Sequence, residues 1–494
     1  MKLFALLALV VLLAGVQSQK DPKLVPDEST LLRLFEWKFD DIADECERFL
    51  APKGYAGVQV SPVHKNLLYT ATAPGLWERY QPMSYKLVSR SGDETAFRDM
   101  VRRCNAVGVR IYVDVVLNHM SGNWDNAVGT GGSTADTYNY SYPGVPYDHS
   151  DFHPYCILND YQDPEIVRNC ELVGLHDLDQ SQDYVREKLI DFLNHLVDAG
   201  VAGFRVDAAK HMWPADLEYI YGKVNNRNSD AGYCGDSSPS RYQEVIDLGG
   251  EAVSKFEYNG FGRVTEFKHS EQIGYAFRGN NRLEWTYTYK PNWGLLPSGD
   301  ALVFVDNHDN QRGGGNAILT YKTPKNYKMA IAFILAHPYG YPRVMSSFDF
   351  EAHDQGPPQD SDKNILSPSI NADGTCGNGW VCEHRWRQHA NMVGFRNAVR
   401  GTEITNWWDN GNHQIGFCRG DRGFVAFNVE DNDLKQTLQT CLPAGTYCDV
   451  ISGSKNNRAH LGAELVVAPN GEAFSVRLIS DDDGVLAIHL EEKL

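Results

Sequence analysis

Arg205 and Asp207 stand two residues apart in the run Gly203-Phe204-Arg205-Val206-Asp207-Ala208-Ala209-Lys210-His211. In an extended chain, residues two apart face the same side, so this pair points one way while Phe204 and Val206 point the other. A cation beside a carboxylate keeps it ionised at neutral pH. An ionised, fixed carboxylate suits a nucleophile or an electrostatic stabiliser, but an ordinary buried ion pair has the same pattern. The rest of the chain decides. Asp114 to His119 reads Asp-Val-Val-Leu-Asn-His, Tyr242 to Asp247 reads Tyr-Gln-Glu-Val-Ile-Asp, Val264 to Phe267 reads Val-Thr-Glu-Phe, and Phe304 to Asp309 reads Phe-Val-Asp-Asn-His-Asp. A charge among apolar strand residues is costly unless it is used or paired. Carboxylates in all of these segments point to one acidic site. Paired carboxylates at an aromatic-rich cleft suit glycoside hydrolysis, where one attacks or stabilises an oxocarbenium-like carbon and the other gives a proton to the leaving oxygen. Asp207, beside Arg205, is the natural ionised partner. The acid is open between Glu244 and Glu266, since desolvation would raise either one. Asp309 beside His308 could bind sugar hydroxyls.

Short apolar strands alternate with helical patterns through the middle of the chain, which implies a parallel sheet. Candidate strands are Leu31–Trp37, Gly57–Ser61, Val109–Leu117, the Arg205–Asp207 segment, Tyr242–Ile246, Val264–Phe267, Leu302–Val305 and Arg343–Ser346. About eight strands without a Gly-rich nucleotide loop fit a closed (β/α)8 TIM barrel better than an open doubly wound sheet. In such a barrel the C-terminal strand ends hold the chemistry, and the carboxylates fall there. The connection from Leu117 to Asp183 is too long for a structureless loop, so it is expected to be an inserted small domain after the third strand. Beyond about Gly401 short alternating strands replace the pattern, which suggests an all-β sandwich. The expected division is a signal peptide at 1–18, a barrel over 19–118 and 184–401, an insertion over 119–183, and a C-terminal domain over 402–494.

The net charge of -18 over 494 residues argues against nucleic acid as a partner. The apolar run from Leu3 to Val16 after Lys2 is short for a membrane span and reads as a secretory signal cut near Ser18. No other stretch looks transmembrane. In that compartment 10 cysteines read as a disulfide framework. The pairs expected are Cys376–Cys382, Cys441–Cys448, Cys156–Cys170 and Cys46–Cys104, with Cys234 and Cys418 left over. Asn139-Tyr140-Ser141 is a glycosylation sequon.

The segments around His119, Asp207, Glu244 and Asp309 resemble the four signature regions of the α-amylase superfamily of glycoside hydrolases. The runs Leu50-Ala51-Pro52-Lys53-Gly54-Tyr55, Gln243 to Glu251 and Glu383-His384-Arg385-Trp386-Arg387-Gln388 resemble the animal α-amylases in particular. The resemblance implies a secreted, monomeric, retaining and endo-acting enzyme on the α-1,4 bonds of starch, glycogen and malto-oligosaccharides. It implies Asp207 as nucleophile, Glu244 as general acid in preference to Glu266, and Asp309 as transition-state stabiliser. His119, His308, Lys210, His211, Trp77, Tyr80 and Gln81 match substrate-binding positions. Asn118, Asp177 and the carbonyls of Arg168 and His211 match calcium (Ca2+) ligands, which are oxygen donors as Ca2+ requires. Arg205, Asn307 and Arg343 match chloride (Cl-) ligands, and an anion near Glu244 would disfavour its ionisation. The sequence departs from the mammalian pattern at Leu76, where a second tryptophan is usual, and in the short loop Gly313-Gly314-Gly315.

Overall fold

The structure is a computed structural model describing residues 20, 28–69, 75–233, 237–289, 291–453, 462–479 and 483–494. The apolar N-terminal run and Cys234 lie outside the described residues. Strands β1 (Leu31–Leu34), β2 (Gly57–Val60), β3 (Arg110–Val116), β4 (Gly203–Asp207), β5 (Ser240–Gln243), β6 (Arg263–Thr265), β7 (Ala301–Val303) and β8 (Tyr341–Ser346) form a closed barrel. Every neighbouring pair is parallel, and β1 closes the ring by pairing with both β2 and β8. The expected (β/α)8 architecture is therefore present.

The period of two along each strand sorts the barrel interior into layers. Leu31, Tyr112, Tyr242 and Leu302 pack together as an apolar floor. Two residues further along their strands come Arg33, Asp114, Glu244 and Phe304, joined at that level by Gln59, Arg205 and Arg343. Register places Arg205 beside Asp114 on one side and Tyr242 on the other. Residues facing the other way, such as Phe204, Val206, Val113 and Val115, are buried against the surrounding helices. Gly203 opens β4 because a Cβ there would meet the Ser240 carbonyl oxygen at 2.0 Å, so the close approach of β5 requires glycine. The helix Asp183–Asp198 buries Val185, Leu189, Phe192, Leu193 and Leu196 along one face. It stops before Gly200, whose φ of 95° lies in the left-handed region that glycine alone adopts freely.

Between β3 and the helix Asp183–Asp198 the chain leaves the barrel. It forms a short antiparallel pair, His119–Gly122 with Leu175–Asp177, several 3-10 turns and the helix Pro164–Asn169. The Cys156–Cys170 disulfide closes the outer loop of this insertion.

The C-terminal region is a sandwich of two four-stranded antiparallel sheets. One sheet contains β9 (Ile404–Asp409), β10 (Gln414–Arg419), β11 (Gly423–Asn428) and β16 (Val485–His489). The other contains β12 (Leu434–Gln439), β13 (Gly445–Cys448), β14 (Glu464–Val467) and β15 (Glu472–Leu478). Sequence periodicity did not reveal β9, β10 and β12, because β9 is only partly buried with no inside–outside alternation, β12 is mostly polar and exposed, and β10 is buried on both sides. Phe417 and Phe427 pack on Phe333 of the helix Pro324–Ala336, which seats the sandwich on the barrel.

Three expected disulfides, Cys46–Cys104, Cys156–Cys170 and Cys376–Cys382, are present. The fourth is a correction: Cys441 joins Cys418, not Cys448. Cys418 lies on β10 and Cys441 just beyond β12, so this bond ties one sheet to the other. Cys448 is fully buried on β13, carried away from Cys441 by the strand's pairing with β14.

Candidate active site

Three of the carboxylates singled out in the sequence, Asp114, Asp207 and Glu244, converge on Arg205. Its Nη1 lies 2.6 Å from Asp114 Oδ1 and 2.5 Å from Asp207 Oδ1, and its Nη2 contacts Glu244 Oε1 directly. Ala208 has a φ of 49°, an unusual conformation for a residue with a Cβ. This turn at the end of β4 aims the Ala208 N–H at Glu244 Oε2, 3.0 Å away. Asp309 precedes the short helix Asn310–Gly313, and its Oδ2 accepts from Asn307 Nδ2 at 3.1 Å.

Beneath these groups, Asp114 is held by Arg33 at 2.9 Å, Tyr80 Oη at 3.0 Å and Gln59 Nε2 at 3.4 Å. Arg33 and Gln59 were missed by motif reading. Their only sequence signal is a polar residue interrupting an apolar strand, as in Leu-Leu-Arg-Leu and Gly-Val-Gln-Val.

Burial pushes the carboxyl of Asp207 up, while Arg205 draws it down and Glu244 and Asp114 add repulsion; the exposed Asp309 feels the repulsion of Glu244 and the attraction of Arg205 and Arg33. The acidic cluster of Asp114, Asp207, Glu244 and Asp309 exceeds the nearby guanidinium charge of Arg33 and Arg205. Mutual repulsion in so tight a group disfavours ionising every carboxylate at once. This is the condition under which one carboxyl can act as acid while another stays ionised. Glu266 is placed elsewhere: its oxygens are taken by Lys255 Nζ at 2.5 Å and Leu296 N at 2.7 Å.

Neutral imidazoles surround the cluster. Burial lowers His308 well below its ordinary range and lowers His119 and His211 to about 4. His308 stacks on Tyr80 at 5.2 Å, and its buried Nδ1 has no partner. His119 Nε2 faces the Tyr80 carbonyl at 3.0 Å and Nδ1 faces Asn118 Nδ2 at 3.2 Å, so a sugar hydroxyl would have to replace one of these. Lys210 Nζ donates to the Ile246 carbonyl at 2.7 Å and pairs with Glu251. Tyr161, Leu172, Lys210, His211, Glu244, Ile246 and Glu251 line a cavity of about 230 Å3. On the other side, Trp77 is half-buried and Gln81 buried.

The residues matched to ion ligands have a chemistry that fits those ions. Asn118 Oδ1 is buried with no partner, and Asp177 Oδ1 lies next to the Asn118 amide at 3.1 Å. The His211 ring donates to the Val167 carbonyl at 2.9 Å, which brings the Arg168 and His211 backbones together. An orphaned amide oxygen beside a buried carboxylate suits a hard cation. Arg168 itself pairs through its side chain with Glu257 at 2.8 Å. Arg343 is buried, and its guanidinium bonds Gln59 Oε1 at 2.7 Å with no carboxylate in ion-pair range among the described residues. Burial and the repulsion of Arg33 and Arg205 lower it to about 10. An uncompensated buried cation beside a second one suits an anion. Asn307, the remaining matched residue, is bonded to Asp309 and Asn310.

Residues 48–290 match the family description "Alpha amylase, catalytic domain", and residues 405–491 match "Alpha amylase, C-terminal all-beta domain". An alpha-amylase of Tribolium castaneum is 60% identical over 473 residues, covering 96% of each chain. The chain belongs to the α-amylase family. It is thus a glycoside hydrolase. An alpha-amylase-related protein of Drosophila melanogaster is 59% identical over 492 residues, covering 99% of each chain. The crystal structure of alpha-amylase I from Eisenia fetida superposes with a TM-score of 0.90 at 44% identity, covering 94% of this chain and 98% of that one. A variant of that earthworm enzyme has been solved in complex with maltohexaose.

Proposed function

We propose that this chain is a secreted, endo-acting hydrolase of α-1,4-glucosidic bonds in starch and glycogen, working with retention of configuration. The observation that carries the reading is that Asp207 and Glu244 share the Arg205 guanidinium, with Asp309 within electrostatic reach of Glu244 and Arg205. Asp207 attacks the anomeric carbon as the glycosidic C–O bond breaks, and Glu244 gives its proton to the departing oxygen. The glycosyl–Asp207 ester is then hydrolysed by water, whose proton returns to Glu244. Asp309 supports the positive charge that develops on the ring and hydrogen-bonds sugar hydroxyls. Neutral His308, His119 and His211 can hydrogen-bond sugar hydroxyls without adding charge.

Asn118, Asp177, and the Arg168 and His211 carbonyls would hold calcium, which fastens the insertion to the strand-end loop carrying His211. Arg205, Asn307 and Arg343 would hold chloride, which balances Arg343 and loosens the hold of Arg205 on Glu244. Extracellular residence fits four disulfides and the apolar N-terminus. No helix among the described residues is long and apolar enough to cross a membrane.

A starch digestion followed by product length and by NMR of fresh product tests the reading. Mixed oligosaccharides should appear early, and the first reducing ends should be α. Glucose released alone from chain ends would indicate an α-glucosidase instead, new longer chains a transglycosylase, and a β product would overturn retention.

A further inference from the structure

Trp77 does not stand alone. Its indole stacks on Trp124 with ring centroids 5.6 Å apart and planes 8° from parallel. Tyr69 presents its ring at 5.3 Å from Trp124 and 5.7 Å from Trp77. Both indoles are half-buried, so each keeps area toward solvent. Leu76, by contrast, is buried in the core.

The stack joins two parts of the fold. Trp77 comes from the 3-10 segment Leu76–Tyr80, which also delivers Tyr80 to Asp114. Trp124 comes from the insertion, just after the strand His119–Gly122. Its backbone is fixed by Thr137, whose Oγ1 accepts from Trp124 N at 2.9 Å and donates to Trp124 O at 3.2 Å. Its Nε1 donates to Gln81 Oε1 at 2.8 Å, and the same oxygen accepts from Gly122 N at 3.2 Å. The Gln81 carbonyl therefore orients the second indole.

We propose that Trp124 is the second aromatic of the sugar platform and a specificity-determining residue for glucan chains long enough to reach it. The inference rests on reading Trp77 as a substrate-stacking residue. A pyranose ring has an apolar C–H face, and a rigid indole offers large contact area with little side-chain freedom to lose on binding. Two parallel indoles, offset and braced by Tyr69, extend that area beyond one sugar. They also hold Trp77 flat, a task that Leu76 cannot perform from within the core.

The test compares maltohexaose with maltotriose on Trp124→Ala, Trp124→Phe and Trp77→Ala. Trp124→Ala should lower kcat/KM for maltohexaose about tenfold, through KM, as expected for losing roughly one good aromatic contact. Its loss on maltotriose should stay below about threefold, and Trp124→Phe should restore most of the maltohexaose value. Equal losses on both substrates, or a loss in kcat alone, would overturn the inference by showing a structural effect on the acidic cluster. A raised KM for Trp77→Ala with none for Trp124→Ala would overturn it while leaving the Trp77 platform standing. No change in either variant would remove the platform reading itself.

Discussion

Replacing Arg343 by glutamine tests the charge argument at the centre of the barrel. Arg343 is buried at 3% exposure, has a neutral hydrogen-bond partner in Gln59, and faces the like charges of Arg33 and Arg205. Its depression to about 10 corresponds to roughly 3 kcal/mol of unfavourable charge burial, at about 1.4 kcal/mol per tenfold. In chloride-free buffer, Arg343→Gln should thus be more stable than the parent, by up to about 3 kcal/mol, since the amide keeps polar atoms near Gln59 without the charge. Chloride should reverse the ranking. It stabilises the parent by mass action, about 4.1 kcal/mol at a thousandfold excess over Kd, and should do little for the variant. The assay is thermal unfolding of both proteins in sodium gluconate with increasing sodium chloride, with starch hydrolysis measured in parallel. Parent activity should rise with chloride, and variant activity should not respond. A variant less stable than the parent without chloride would refute the claim of an uncompensated cation. An equal chloride response in both would place the anion elsewhere.

Glu244→Gln should fold normally and lose nearly all starch hydrolysis, whereas Glu266→Gln should retain more activity but lower stability by about 3–5 kcal/mol, because it strips the buried Lys255 of its counter-charge. Denaturation midpoints beside initial rates check this, and the opposite pattern would return the acid to Glu266. Glu383 is fully buried near Asp306, and burial raises it to about 7. The folded protein therefore keeps a proton that the unfolded chain has already released, so this contribution is full at low pH and is lost as pH rises from about 4.5 toward 7. Glu383→Gln should flatten the fall of Tm between about pH 5 and 8, and an unchanged slope would contradict it.

Much of this fold was legible because its signals are local. Eight short strands could be read from apolar runs, and carboxylates at their ends marked one face of the barrel. Asp207 with Arg205 was legible as a pair because a strand's period of two fixes their common side. What joins them was not legible. Arg33, Gln59 and Asp114 are brought together by ring closure across three strands, and no spacing within one strand reports that. Glu266 could not be told from Glu244 by pattern, since each has an apolar residue directly after it and stands at the end of a short strand. Lys255, which claims Glu266, arrives on a separate loop turn. The Cys441 partner was misread for a similar reason. Cys448 is close in sequence, but the packing of one sheet on the other brings Cys418 alongside instead.

The charged layer across the barrel lumen bears on how the activity could be moved between scaffolds. In many barrels the loops can be regarded as an interchangeable top placed on an inert apolar cylinder. Here Arg33, Gln59, Asp114, Arg205 and Arg343 belong to the cylinder itself, and they hold the carboxylates from below. Transplanting only the strand-end loops onto a barrel with an aliphatic lumen would leave Asp207 and Glu244 without the guanidinium they share. The smallest portable unit of this chemistry includes the inner half of five strands.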